Sequence, residues 1–310
     1  MPKLLSVVIP CYNEEENIRY FYEEFRKIEG YLKEHAIMFQ LLYVDDGSSD
    51  GTLMEIKQLN RIDRRVKLLS FSRHFGKEAA IYAGLQNAEG DLVAVMDVDL
   101  QDPPTLLPQM LESLKAGYDQ VATRRNKREG DPKIRSLCAK LFYKIINCFS
   151  KTEIVEGARD FRLMKRQVVD AILSLSEKNR FSKGIFSWVG FTTKWITYDS
   201  QPHRSGDSKC SIWQLWGYAY DALTTYSTVL LSFSSFVGLL FCIISLLMII
   251  FVVIRKLMFG DPTAGWPSLV CIILLASGLQ LLSIGVIGQY LAKTYMEVKN
   301  RPIYIIKEKL

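Results

Sequence analysis

Asp97 and Asp99 stand two residues apart at the end of an apolar run, Leu92 to Met96. In an extended strand residues i and i+2 share a face, so both carboxylates can converge on one hard cation. Mg2+ or Mn2+ held in this way can bridge a diphosphate and stabilise the charge on a departing nucleotide. The pair alone is a weak signal, because an Asp ahead of Pro103 and Pro104 can equally serve as a turn or helix cap. A second acidic run, Asp45-Asp46-Gly47-Ser48-Ser49-Asp50-Gly51, places Asp46, Ser48, Asp50 and Gly51 at positions one, three, five and six of a calcium loop. Position twelve is Lys57, a cation where that loop needs a bidentate carboxylate, so calcium is excluded. The other reading is a turn after a strand, with Asp45 and Asp46 accepting hydrogen bonds from a base or ribose and Ser49 or Asp50 capping the next helix.

Short β-branched runs at Leu5 to Ile9, Phe39 to Val44, Val66 to Phe71 and Leu92 to Met96 predict strands. Between them Glu14 to Lys33, Thr52 to Arg61, Gly76 to Ala88 and Pro104 to Ala116 carry apolar residues at helical spacing. Alternating strand and helix implies an α/β fold with a mainly parallel, Rossmann-like sheet and helices on both faces. Ligands bind such sheets beyond the carboxyl ends of the strands. Here those ends read Pro10 to Glu14, Asp45 to Gly51, Ser72 to Lys77 and Asp97 to Asp102. No Gly-x-Gly-x-x-Gly or Walker sequence is present, which disfavours dinucleotide and P-loop binding.

The chain has 310 residues and a net charge of +6, but its apolar residues are unevenly spread. Val229 to Ile254 and Pro267 to Ala292 are long uncharged apolar stretches, each exceeding the roughly 20 residues a membrane-spanning helix needs. Buried core helices would show a polar stripe, and these show none. The N-terminus lacks a secretory signal pattern, so the first two thirds are expected to stay in the cytoplasm. Two spans return Lys293, Lys299, Arg301, Lys307 and Lys309 to that side, as the positive-inside rule prefers. Ile212, Trp213, Trp216, Tyr220 and Leu223 form an aromatic stripe suited to the headgroup region. The expected organisation is therefore a soluble domain 1–210, an interfacial helix 211–228, spans 229–254 and 267–292 joined by an outer loop 255–266, and a cytoplasmic tail 293–310. Arg124 to Lys144 holds eight basic and two acidic residues with one apolar helical face, which fits either an anionic membrane surface or a solvated helix packed on the sheet. Six scattered cysteines and three separated histidines give no disulfide framework and no zinc site.

Taken together, Val8-Ile9-Pro10-Cys11-Tyr12-Asn13-Glu14-Glu15, Val44-Asp45-Asp46-Gly47-Ser48-Ser49-Asp50-Gly51-Thr52, Ser72-Arg73-His74-Phe75-Gly76-Lys77-Glu78-Ala79-Ala80, Asp97-Val98-Asp99-Leu100-Gln101-Asp102-Pro103-Pro104 and Asp160-Phe161-Arg162-Leu163-Met164 resemble the family 2 inverting glycosyltransferases of the GT-A fold. Within that family the chain is similar to the polyprenyl-phosphate branch, which includes bactoprenol glucosyltransferases and dolichol-phosphate mannose synthase. The resemblance implies that Pro10, Tyr12, Glu14, Asp46 and Lys77 line a nucleotide-sugar pocket with Asp45 beside them. It implies that Asp97, Asp99 and Gln101 hold Mg2+ or Mn2+ and the diphosphate, and that Arg124, Arg128 and Arg135 receive the acceptor phosphate. Arg204 and Lys209 match a mobile segment that closes over the phosphates in the family. Asp160 corresponds to its candidate catalytic carboxylate, so the implied catalytic groups are Asp160, Asp99, Arg128 and Arg204. Two positions depart from the family pattern: Arg159 stands where relatives often have glycine, and Cys210 where an aromatic is common.

The resemblance implies transfer of a hexose, with UDP-glucose the first choice of donor, to undecaprenyl or another polyprenyl phosphate at the bacterial cytoplasmic membrane. A phosphate monoester is already largely ionised near neutral pH, so this acceptor needs no strong base. Asp160 is assigned mainly to orienting acceptor or sugar, with a base role left open. The alternatives are a processive polysaccharide synthase, whose Gln-x-x-Arg-Trp element is missing here, and an inactive membrane scaffold, which predicts damaged motifs. Expected partners are the nucleotide sugar, the lipid phosphate, the membrane, a flippase and an outer-face transferase; nucleic acid is not among them. Ser234 and Gly238 have a small-xxx-small spacing that leaves a homo-oligomer open.

Overall fold

The computed structural model describes residues 2–125, 155, 157–175, 177–178, 180–198, single helical positions between 236 and 258, and 265–310. They fall into two compact units, and the first contains the N-terminal residues together with Arg301–Leu310.

The first unit is built on strands β1 (Lys3–Cys11), β2 (Ile37–Asp45), β3 (Val66–Phe71), β4 (Leu92–Val95), β5 (Gln120–Arg125), β6 (Ala158–Lys165), β7 (Thr193–Tyr198) and β8 (Ile306–Lys309). They form one sheet in the order β7-β5-β6-β4-β1-β2-β3-β8. β1 pairs in parallel with β2 and β4, and β2 with β3, as strand-helix alternation requires. β6 runs antiparallel to both β4 and β5, and β8 antiparallel to β3. The sheet is therefore mixed, with a parallel centre.

Nearly every residue of β1 is buried because helices cover both faces of the sheet. On one face α1 (Glu15–Arg26) sets Ile18, Phe21, Tyr22 and Phe25 at helical spacing into the core. It is accompanied by α2 (Glu29–Glu34), α3 (Thr52–Ile62) and α5 (Leu107–Lys115), the last preceded by a 3-10 turn at Pro104–Leu106. The opposite face carries α4 (Lys77–Asn87), α6 (Arg166–Ser174) and α7 (Ser182–Trp188). Gly84 lies against Val8, where any added Cβ would collide with that side chain, so α4 packs directly on β1. The single helix expected over 14–33 is two, α1 and α2, with Lys27 and Ile28 between them.

The second unit contributes α8 (Trp266–Val298), within which Leu275–Val298 is long and apolar enough to cross a membrane. Span 267–292 falls inside α8. Span 229–254 is described only at single positions such as Phe236, Leu240 and Ile243, all helical and exposed; the interfacial helix 211–228 lies outside the described residues. The basic stretch expected to be helical from Arg124 begins instead as strand, because Arg124 and Arg125 end β5 and pair with β7; its remainder, 126–144, lies outside the described residues.

The segment 293–310 is more than a tail. Its first residues continue α8, and Ile306–Lys309 returns as strand β8 on the edge of β3. Lys57 pairs with Glu308 at 2.6 Å, and Tyr304 stacks on Phe71 at 5.0 Å while its hydroxyl donates to Gln86 at 2.8 Å. Replacing Tyr304 with Ala should lower the unfolding free energy of this unit by about 2 kcal/mol. Tyr304→Phe, which loses only the bond to Gln86, should cost under about 1 kcal/mol. Denaturant melts of the purified variants measure both.

Candidate active site

The chain proceeds from β1 to β2 and β3 on one side, then returns to place β4 on the other side of β1. That reversal opens a crevice at the carboxyl edge of the sheet. The crevice is a cleft of about 280 Å³ lined by Pro10 and Cys11 at the end of β1, Tyr12 and Glu14 after it, Asp46 after β2, His74, Lys77 and Ala80 after β3, and Asp97, Val98 and Asp99 after β4. Residues from four separated motifs thus meet in one place.

The acidic turn after β2 organises the donor-side wall. Gly47 adopts φ +72°, and a Cβ there would lie 2.5 Å from the Arg73 carbonyl carbon, so both the turn and the close approach require glycine. Asp46 accepts from the Phe75 amide at 2.7 Å, the Gly76 amide at 2.9 Å and, through Oδ2, sits 2.9 Å from His74 Nδ1. It therefore anchors the loop 72–76 that precedes α4. Asp50 accepts from the Thr52 amide at 3.0 Å at the start of α3, but the cap position expected of Ser49 or Asp50 falls on Gly51. Asp45, expected beside the nucleotide pocket, is not among the residues that line this cleft. Its carboxylate is buried, accepting from the Ser48 amide of the turn at 3.0 Å and from the Ser70 hydroxyl of β3 at 2.7 Å, so it ties the turn to the neighbouring strand. Tyr12 is exposed at the cleft rim with its ring 4.3 Å from that of His74.

At the centre lies Lys77, the first residue of α4. Its ammonium is 2.7 and 2.9 Å from the two oxygens of Asp97 and 2.6 Å from Asp160 Oδ2. Asp160 reaches this point because β6 runs antiparallel to β4, so its N-terminal half emerges at the same edge as the end of β4. Lys183, in the first turn of α7, approaches Asp160 Oδ1 to 3.9 Å. Burial opposes ionisation of Asp160, but Lys183 and Lys77 outweigh it and hold the carboxyl below its ordinary value. Burial would likewise lower the Lys77 ammonium; Asp97 and Asp160 reverse this and raise it. Asp97 itself is raised, burial exceeding the attraction of Lys77. Glu14 is raised by burial, against a bond from Asn17, with the charges of Asp99 and Asp97 adding to the effect.

Beside this cluster the Gln101 amide donates to Asp99 Oδ2 at 2.8 Å, and its carbonyl oxygen accepts from Arg159 at 2.6 Å. Arg159 also donates to Asp102 at 3.3 Å. Burial pushes the Asp102 carboxyl up to about 6 in spite of that pairing. Among the described residues no three His, Cys, Asp or Glu side chains close around one point. The donor chemistry still fits a hard dication: Asp97, Asp99 and Glu14 line the same cleft, and Gln101 adjoins them. A cation held there would complete its shell with oxygens from a diphosphate or water.

Pro10, Tyr12, Glu14, Asp46, Lys77, Asp97 and Asp99 are thus brought together, with Asp160 and Gln101 adjoining. Arg124 is exposed near the end of β5. Arg128, Arg135, Arg204 and Lys209 lie outside the described residues. Sequence reasoning assigned no role to His74, Lys183 and Glu78, and noted Arg159 only as a departure from the family pattern. Glu78 accepts from the Ser182 amide at 2.8 Å and from its hydroxyl, fixing the start of α7 and so the position of Lys183. The signals available were the motif Ser72 to Ala80, which holds His74 and Glu78, and the departure at Arg159; Lys183 had none.

Since Asp46 serves three donors and offers none, Asp46→Asn must turn one amide N–H toward a donor. Amide hydrogen exchange at Phe75 and Gly76 should accelerate by about tenfold or more, while exchange in β5 stays unchanged.

The Glycosyl transferase family 2 domain matches residues 6–173. Bactoprenol glucosyl transferase of Shigella phage SfII is 43% identical over 304 residues, covering 98% of this chain and 97% of the relative. That of phage SfV is 42% identical over 303 residues, covering 98% of each. An uncharacterized glycosyltransferase of Synechocystis, sll0501, is 38% identical over 98% of this chain and 95% of its own length. With the motif residues gathered at one cleft and similarity running along the whole chain, the protein belongs to glycosyl transferase family 2.

Proposed function

We propose that the protein transfers a hexose, with UDP-glucose the first choice of donor, onto a polyprenyl phosphate with inversion at the anomeric carbon. The observation that carries this reading is the meeting of Lys77, Asp97, Asp99 and Asp160 at the switch-point cleft, in a chain 43% identical to a bactoprenol glucosyl transferase. An oxygen of the lipid phosphate attacks the anomeric carbon, the bond from that carbon to the diphosphate breaks, and the nucleoside diphosphate leaves. Mg2+ or Mn2+, held by Asp97, Asp99 and Gln101, would supply charge neutralisation on the diphosphate. Tyr12 and His74 offer ring faces to the base, and the ionised Asp160, flanked by Lys77 and Lys183, orients acceptor or sugar. Arg124, Arg128, Arg135, Arg204 and Lys209 would neutralise the lipid phosphate and the closed donor, guanidinium groups being suited to holding two phosphate oxygens.

The fold corresponds in this reading to GT-A, attached to the bacterial cytoplasmic membrane by two spans. Strand β8 supports the even number: the chain leaves the first unit and re-enters the same sheet, so crossings between those points must come in pairs. The lipid-linked sugar then serves as donor for glycan decoration outside the membrane, which calls for a flippase and a second transferase.

Incubating membranes containing the protein with radiolabelled UDP-glucose, Mg2+ and a short polyprenyl phosphate should move label into organic solvent. Label found only in polymer, or no transfer with any of a panel of sugar nucleotides, would refute the reading. In the same assay Asp99→Ala should lose activity by about 100-fold or more. Arg128→Ala should raise the apparent KM for lipid phosphate more than that for UDP-glucose.

The pH dependence separates the roles of Asp160. Because its carboxyl is held below the ordinary value, it stays ionised above about pH 5. The acceptor phosphate, with a second ionisation near ~6, is then the group whose protonation slows the reaction. kcat/KM for the acceptor should fall below about pH 6, and this acid limb should persist in the residual activity of Asp160→Asn. Its disappearance in that variant would assign the limb to Asp160 as a base.

A further inference from the structure

An ammonium group has three N–H donors, and those of Lys77 face three carboxylate oxygens: both of Asp97, at 2.7 and 2.9 Å, and Oδ2 of Asp160, at 2.6 Å. In this arrangement Lys77 has no donor left for a diphosphate. Asp97, the first carboxylate of the proposed metal site, has both oxygens turned to a cation that belongs to the protein. We propose that Lys77 is an internal stand-in for the divalent ion, holding Asp97 in the donor-free protein and moving to the diphosphate when the ion takes that carboxylate. The proposal rests on the metal-dependent transfer put forward above and adds an exchange step within it.

Charge balance makes the exchange conditional. Asp97, Asp99 and Glu14 line the cleft and Asp160 reaches the same ammonium, so four carboxylates crowd a small space that favours a cation among them. Lys77 fills that place when no donor is present. A divalent ion arriving alone would have to displace an ammonium that is held by two carboxylates, or share Asp97 with it at a distance where like charges repel. A nucleoside diphosphate changes the balance, since its oxygens give the displaced ammonium a new anionic partner on the same side of the cleft. Ion and donor therefore assist each other through Lys77, and that assistance must be equal in both directions. The same displacement withdraws one of the two cations from Asp160, so this carboxylate changes partners only once the donor is in place.

The test is a Mn2+ titration of the purified full chain, with free Mn2+ counted by its electron paramagnetic resonance signal, in the absence and presence of UDP. Lys77→Met should bind Mn2+ alone at least about tenfold tighter than the unaltered protein, because the competing charge is gone. Lys77→Arg, which keeps a cation, should bind it as weakly as the unaltered protein. UDP should strengthen Mn2+ binding markedly in the unaltered protein and much less in Lys77→Met. Thermal melts confirm that each variant is folded, and Lys77→Gln, also neutral, is the second variant should Lys77→Met fail to fold. Mn2+ binding in the folded neutral variants that is equal to or weaker than in the unaltered protein overturns the exchange while leaving metal dependence standing. Absence of Mn2+ binding to the unaltered protein even with UDP overturns the metal reading, and the exchange with it.

Discussion

The arrangement is governed by the repulsion among carboxylates drawn into one cleft. Glu14 follows β1, Asp97 and Asp99 follow β4, and Asp160 enters from β6. Bringing these groups together favours compensating positive charge beside them. Lys77, Lys183 and Arg159 supply it from three different elements. In the proposed function this serves a small, highly charged cation and an anionic substrate, because the cleft already concentrates the opposite charges that both require.

Those charges are positioned by a chain of local constraints that starts in the turn after β2. Gly47 permits the backbone to pass against Arg73, and Asp46 then gathers the amides of Phe75 and Gly76. This fixes the residue at which α4 begins, which is Lys77. Packing of Gly84 on Val8 settles how closely α4 lies on β1 and so how deeply the ammonium enters the cleft. Asp46 and Lys77 therefore belong to one mechanical unit, although they sit on different strand ends and only Lys77 touches the metal-site carboxylate.

The central sheet was legible because β1 to β4 are short, β-branched and buried on both faces, and because amphipathic helices separate them. Asp97 and Asp99 were expected to share the face of a strand; β4 ends at Val95, and both line the cleft from the segment beyond it, Asp99 in a turn. Long-range pairing was not legible. β6 is amphiphilic by any local measure, and only its antiparallel register with β4 brings Asp160 to Lys77. Asp45 and Asp46 are adjacent in an acidic run, yet one folds inward to Ser70 and the other toward the loop, a difference set by the turn and not by residue type. Arg162 is a stronger case: a fully buried arginine in β6, bonded to Gln120 at 2.8 Å and lying over the Phe186 ring at 4.2 Å. Composition assigns such a residue to the surface. The C-terminal strand was missed for a similar reason, because a short segment rich in lysine becomes a strand only when an edge such as β3 is available.

Under the proposed function, that edge strand bears on how a nucleotide-sugar donor and a membrane-confined acceptor meet. β8 pairs with β3, and the Ser72 amide donates to Ile305 at 3.0 Å at the point where β3 enters the loop held by Asp46. The loop on the donor side is thus braced by the segment that follows α8, with only residues 299–305 between helix and strand. In the proposed membrane-bound form, a free tail would leave the soluble unit tied to the bilayer through one connection. Pairing of β8 adds a second, and a body held at two points explores less volume than one held at a single point. The acceptor phosphate is confined to the headgroup plane, so restricting the soluble unit raises the effective concentration of the cleft at that plane without any contact to the lipid itself. The strand that looks peripheral to the chemistry is on this argument one of its conditions.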